Sequence, residues 1–277
     1  NGLLGVLIFS GSLPATRVAV GDFSPMFLTS ARAVVAAVLG AVMLLILRQK
    51  RPEKGDLGSL LIVAFGVVVG FPLLTALALQ QITAAHSVVF IGLLPLSTAL
   101  FGVIRGGERP APAFWLFSIL GSMLVAGFAL SKGGSGSLTG DLYMVAAIVL
   151  CGLGYAEGAT LSRRLGGWQV ISWALILSLP VTTPLALWNL PAVWTGITLQ
   201  AGIGLGYVST VSMLIGFIFW YRGLAIGGIA GVGQLQLLQP FFSLVLAGLL
   251  LGEPVSAFMI ATTILVVGCV SGAKRYA

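Results

Sequence analysis

Apolar runs of about 20 residues follow one another along this whole chain, each long enough to cross the hydrocarbon of a bilayer. Few folds accept such a pattern. The runs fall at roughly 2–20, 25–47, 57–79, 84–105, 112–131, 139–162, 168–188, 196–221, 229–251 and 255–273, ten in all, by the periodic-run criterion. Arg48 to Asp56 (RQKRPEKGD) reads as a solvated loop, and Gly106 to Pro112 and Lys132 to Gly140 (KGGSGSLTG) as turn and linker. Trp188 to Gly196 mixes Trp, Asn and Pro, which suits a membrane interface. A soluble reading fails on composition. With 58% hydrophobic and 8% charged residues, the chain lacks the polar surface to hide this many all-round apolar helices. It is therefore expected to be an all-α membrane protein. Residues 1–6 enter an apolar run almost at once, without the pattern of a cleavable signal peptide, and a short cytoplasmic leader is expected ahead of them.

The charge pattern orients the chain. A net charge of +7 would suit nucleic acid, but the bases sit in short loops between apolar runs. Ten spans put both termini on one side. With them fall Arg48, Lys50, Arg51, Lys54, Arg105, Arg109, Arg163, Arg164, Arg222, Lys274 and Arg275; opposite fall only Arg17, Arg32 and Lys132. The positive-inside rule then places both termini in the cytoplasm.

The chain also repeats itself. AAHSVVFIGLLPLSTALFGVIRGGERP from Ala84 matches IAGVGQLQLLQPFFSLVLAGLLLGEP from Ile229: setting Pro95 on Pro240 sets Glu108 on Glu253 without a gap, and Leu79 and Ala85 on Leu224 and Ala230. Such a run-long match indicates a duplicated unit. Five spans per copy is an odd number, so the copies must enter the membrane from opposite sides. Their loop charges exchange accordingly. Arg105 and Arg109 follow span four while no base follows span nine, and four bases follow span two while none follows span seven. Inverted repeats of this kind are a common architecture of secondary transporters. The expected halves are residues 1–131 and 139–277, joined by 132–138.

The five-span halves, the twice-repeated mid-span proline with its loop glutamate, the run LVLAGLLLGEP and the glycine-rich last span resemble the EamA repeats of the drug/metabolite transporter superfamily. The first copy departs slightly, with Arg-Gly-Gly-Glu-Arg-Pro in place of Leu-Gly-Glu-Pro. Within the superfamily the resemblance is nearest to YddG-type exporters of aromatic amino acids. It implies an exporter of amino acids or similar organic solutes in a bacterial inner membrane.

Polar groups inside a span are costly and therefore informative. His86, the one histidine, opens span four; it either faces a cavity, where it would bond a carboxylate or carry a proton, or caps the helix near the outer interface. Gln236, Gln239 and Ser243 fall at i, i+3 and i+7, one face of an α-helix. That face is read as lining a pore, with interhelical bonding as the alternative. Pro95 and Pro240 each free a carbonyl near mid-membrane and are candidate hinges or plain kinks. Of the rings within spans, Tyr155 is the first choice for a cavity, with Trp173 and Tyr207 beside it and Trp220 as a further ring; Trp188, Trp194 and Tyr276 suit interface belts. Glu157 is read as a local ion pair with Arg163 and Arg164, and Arg17 and Asp22 as another, while Arg32, near the outer end of span two and able to snorkel, is left unassigned.

Catalytic and metal signatures are lacking: no His-Glu-x-x-His, no Walker loop, no cysteine pair at metal spacing. Cys151 and Cys269 lie in apolar runs as small packing residues. GIGLGY at Gly202 is no nucleotide loop, since no strand precedes it. The expectation is a non-enzymatic, cofactor-free secondary transporter working by alternating access, with a small organic solute and membrane lipid as its partners. No nucleic acid is expected, and a monomer is compatible with the sequence. A membrane-embedded enzyme, a channel-like subunit, and a transporter of another solute such as organic cations are the alternatives.

Overall fold

In hydrocarbon no water satisfies the backbone, so an apolar chain must close its hydrogen bonds within helices. A computed structural model describes the chain except residues 79, 83–86, 88–89, 132–136 and 252–256, and except the side chains of 13, 17, 129, 244, 247, 248, 250, 251 and 259. The described residues form helices and turns, with no strand among them. The helices are α1 (Gly2–Ala19), α2 (Pro25–Ile46), α3 (Lys54–Ala78), α4 (Leu94–Gly106), α5 (Pro112–Ser131), α6 (Leu138–Leu165), α7 (Gly167–Trp188), α8 (Leu199–Gly227), α9 (residues 229–251) and α10 (Ala257–Arg275). Five of them, α2, α3, α6, α7 and α8, are long and apolar enough to cross a membrane. His86 and Glu253 lie outside the described residues.

Local chemistry sets the ends. Ser24 accepts from the Phe27 amide at 3.2 Å and Pro25 fills the first position of α2, where its missing N–H costs nothing. Thr198 caps α8 in the same way, accepting from the Ala201 amide at 3.2 Å. Gly166 (φ +94°) and Gly228 (φ +86°) turn the chain between α6 and α7 and between α8 and α9, at a backbone angle that a side chain would strain.

Ahead of each copy of the duplicated stretch, the chain departs from regular α-helix at matching places. The π-helical turns of α3 span Ala64–Gly70, and those of α8 span Tyr207–Gly216. In the register that sets Pro95 on Pro240, residues 64–70 fall on 209–215, inside the second of these segments. The prolines behave alike too. Pro95 lies in the first turn of α4, after the turn at Gly92 and Leu93. Pro240 is second in Gln239–Leu251, after the 3-10 segment Gln234–Leu238. Neither proline kinks a continuous helix; each opens a new helical segment, where its lost donor is tolerated.

Three pairs of helices, each pair five apart in chain order, cross antiparallel. Early residues of α2 (Met26, Ser30) share a small pocket with late residues of α7 (Thr182, Leu185), while Gly40 packs on Ser172. Ile229 at the start of α9 packs on Gly102 and Gly106 at the end of α4, and Gly233 on Thr98. Phe117 of α5 stacks on Tyr276 at 6.0 Å, and Phe128 on Phe258 of α10 at 5.9 Å. Helix α6 is the innermost long helix: 67% of its most apolar window is buried, against 39–44% for the other four. It packs against α3, α4, α7 and α8. Large apolar side chains such as Leu45, Ile104, Met123 and Ile264 point outward, as lipid contact requires.

Candidate functional site

Tyr155, two-thirds of the way along α6, is the hub of the buried polar groups. Gln236 of α9 donates its amide Nε2 to the Tyr155 hydroxyl at 3.4 Å. Rings crowd the tyrosine: Trp220 at 5.5 Å between centroids and Phe217 at 6.2 Å, both from α8. Phe9 of α1 completes the group, 4.9 Å from Phe217 and 6.2 Å from Trp220. Tyr221 donates to the Gly154 carbonyl at 3.3 Å. The cluster thus joins α1, α6, α8 and α9.

Among the described residues, several polar atoms on α2, α8 and α9 are buried without a hydrogen-bond partner, including Gln236 Oε1, Trp220 Nε1, Arg32 Nε, and both amide atoms of Gln234. Leaving such an atom unpaired costs about 1–3 kcal/mol, so each calls for a role. Gln234 is fully buried on the 3-10 segment of α9.

The sequence-predicted residues divide. Tyr155 and Gln236 meet. Trp173 is half-buried at the edge of the same core. Tyr207 instead turns to α1, donating its hydroxyl to the Ile8 carbonyl at 2.9 Å. Ser243 also bonds α1, donating to the Ser10 carbonyl at 2.9 Å. Pro14, four residues on from Ser10, has no N–H to fill that acceptor. Gln239 is half-buried, and its own carbonyl accepts from the Ser10 hydroxyl at 3.4 Å. The expected single face of Gln236, Gln239 and Ser243 is therefore divided: the 3-10 turns through Leu238 change the angular step, sending Gln236 to α6 and Ser243 to α1. Arg32 was given no site role from the sequence, and Gln234 was not singled out. A cation inside an apolar run was the available signal for the first, and a third glutamine in α9 for the second.

Ion pairs gather at one end of the bundle. Glu157, 4% exposed, is bonded by Arg105 of α4 (Nε to Oε1, 2.9 Å) and not by the neighbouring Arg163 and Arg164. Those two reach elsewhere: Arg163 to Glu108 at 3.2 Å, Arg164 to buried Asp56 and to Glu53. A buried carboxylate requires a partner, and the nearest guanidinium in space is not the nearest in sequence. Glu108 also accepts from the Ile229 and Ala230 amides at 2.6 and 2.7 Å, capping α9. At the other end of α8, Asp22 accepts from the Thr198 amide (2.7 Å) and hydroxyl (2.6 Å), which hold its carboxyl below the usual range. The Arg17 side chain, its expected partner, lies outside the described residues.

A separate apolar groove of about 500 Å³ runs between α4, α5 and α6, lined by Phe90, Leu93, Phe101, Trp115 and Ile148 among others. It carries almost no polar surface and opens beside lipid-facing Leu100 and Val149.

The sequence profile of the EamA-like transporter family matches residues 1–130 and again 138–272. The chain belongs to that family. It is an integral membrane transporter. Among its relatives is the uncharacterized transporter YdeK of Bacillus subtilis (strain 168), 66% identical over 277 residues, covering 100% of this chain and 96% of the relative. A probable terminal-alkyne amino-acid exporter of Streptantibioticus cattleyicolor is 24% identical over 254 residues, covering 91% of this chain and 84% of its own. A solved crystal structure superposes with a TM-score of 0.85 at 20% identity, covering 100% of this chain and 97% of that one, and shares the fold.

Proposed function

We propose that this EamA transporter exports amino acids, aromatic ones included, by alternating access between two inverted five-helix repeats. The observation that carries the reading is the Tyr155–Gln236 contact inside a cage of Phe9, Phe217 and Trp220. Stacking surface surrounds amide and hydroxyl groups there, the two chemistries that a side-chain ring and an α-amino acid backbone require. The antiparallel crossings of α2 with α7, α4 with α9 and α5 with α10 support the inversion, and the two family matches support halves at 1–131 and 139–277 with 132–138 between. The name of the Streptantibioticus cattleyicolor relative supports the solute class.

In this reading the chain makes ten spans in a bacterial inner membrane, with both termini cytoplasmic. Tyr155 and Gln236 touch solute, and Trp173 borders the path; His86, outside the described residues, is the further candidate from the sequence. Tyr207, Gln239 and Ser243 tie α1 to α8 and α9 and exchange these bonds as the cavity opens. Transport is facilitated and uncoupled. Purified protein in liposomes should take up labelled phenylalanine, and Tyr155→Phe or Gln236→Ala should raise its KM about tenfold, the weight of one lost bond in a dry site. Unchanged kinetics in both variants would remove these residues from the site.

A further inference from the structure

We propose that Arg32 receives the carboxylate of the transported solute. The inference rests on the amino-acid reading above and adds the residue that recognises the acid group. Arg32 is the eighth residue of α2, about 10 Å along the helix axis from its start at 1.5 Å per residue. A guanidinium held there costs free energy unless it has a partner or a task. Partners are lacking: five of the six described acids are engaged elsewhere, and the sixth, Asp141, sits in the first turn of α6, about 20 Å along the axis from Tyr155. Asp22 is bonded by Thr198, and Glu53, Asp56, Glu108 and Glu157 by arginines at the other end of α8. Among the described residues Arg32 makes no ion pair, and its Nε is buried without an acceptor.

Its position is the second observation. Ala33, Ala36 and Ala37, next along α2, share one core with Phe9, Tyr155, Phe217 and Trp220, and α2 packs on the turns Tyr207–Gly216 that lead into Phe217, so the guanidinium lies within electrostatic reach of the aromatic cage centred on Tyr155. Around that hub, unpaired donors (Arg32 Nε, Trp220 Nε1) accompany an unpaired acceptor (Gln236 Oε1). A zwitterionic amino acid complements both sets. Its carboxylate takes the planar guanidinium fork, its ammonium donates to Gln236 Oε1, and its side chain enters the rings. An amine without a carboxylate leaves Arg32 unanswered.

The test uses competition for labelled phenylalanine uptake in proteoliposomes. The competitors are phenylalanine, 3-phenylpropionate, which lacks the ammonium, and phenethylamine, which lacks the carboxylate. The wild type should be inhibited more strongly by 3-phenylpropionate than by phenethylamine. Arg32→Gln should raise the half-inhibitory concentration of both carboxylates about tenfold or more and leave that of phenethylamine unchanged, as expected for one lost charge-assisted pair. Arg32→Lys, which keeps charge but not the fork, should fall between the two, and it carries the test if the glutamine variant does not elute as a single species. Phenylalanine uptake with the same order of competitors in wild type and variant overturns the role of Arg32 and leaves the transporter reading standing. Absence of phenylalanine uptake and binding by the wild type overturns both.

Discussion

The Glu108 carboxylate accepts from two backbone amides at the start of α9 and from Arg163, so one side chain from the end of α4 holds a helix terminus and an arginine together. Hydrogen bonds to a charged group contribute about 1.5–3 kcal/mol each at best, and the carboxylate also faces the positive end of the helix dipole. Glu108→Gln keeps the size and loses the charge. It should lower the Tm of the detergent-solubilised protein by several degrees, read by thermal unfolding. An unchanged Tm would show that solvent already screens the contact. Residues of this kind mark the limit of what the sequence discloses. Glu108 was conspicuous as one of two matching loop acids, yet its bonds depend on α9 arriving 121 positions later. Glu157 illustrates the same limit: two arginines stand near it in sequence, but both follow the helix past it, and Arg105 arrives from α4 instead. Arg32 was visible only as a charge in an apolar run, since its lack of a partner is a property of the assembled bundle.

At the scale of elements, apolar length and punctuation make most helices legible. Ser24–Pro25 and Thr198 open helices where caps are expected, and Gly166 and Gly228 divide long apolar stretches. The π turns of α3 and α8 and the 3-10 turn of α9 were not legible. They alter the residues per turn by a fraction, which an apolar run with little amphipathic contrast does not record. They matter nevertheless, because the 3-10 turn separates Gln236 from Ser243. The segment boundary at Pro240 is the element-level prediction. Pro240→Ala restores an N–H that can donate to the Gln236 carbonyl, favouring one continuous α-helix across 234–251. If the break is where α9 bends during transport, kcat for phenylalanine uptake should fall severalfold while KM stays put, the signature of a slowed conformational step. A raised KM with unchanged kcat would assign the break to binding instead.

For the whole molecule, the internal duplication in the sequence and the family match to two stretches describe one architecture at two levels. The packing of α2 on α7, α4 on α9 and α5 on α10 could not be read from the repeated sequence alone, since a duplication states likeness but not which faces meet. In hydrocarbon, apolar surface gives no drive for helices to associate, so close packing and polar contacts must supply it. Here they cross from one family-matched stretch to the other: Arg105 to Glu157, Arg163 to Glu108, Arg164 to Asp56, and Glu108 to the start of α9. A polypeptide whose two portions grip each other so directly does not depend on the peptide bonds between them. Fragments 1–131 and 139–277, translated from separate messages in one cell, should find each other in the bilayer and copurify through a tag on either one; fragments that never copurify would mean that tethering, and not mutual recognition, brings the portions together.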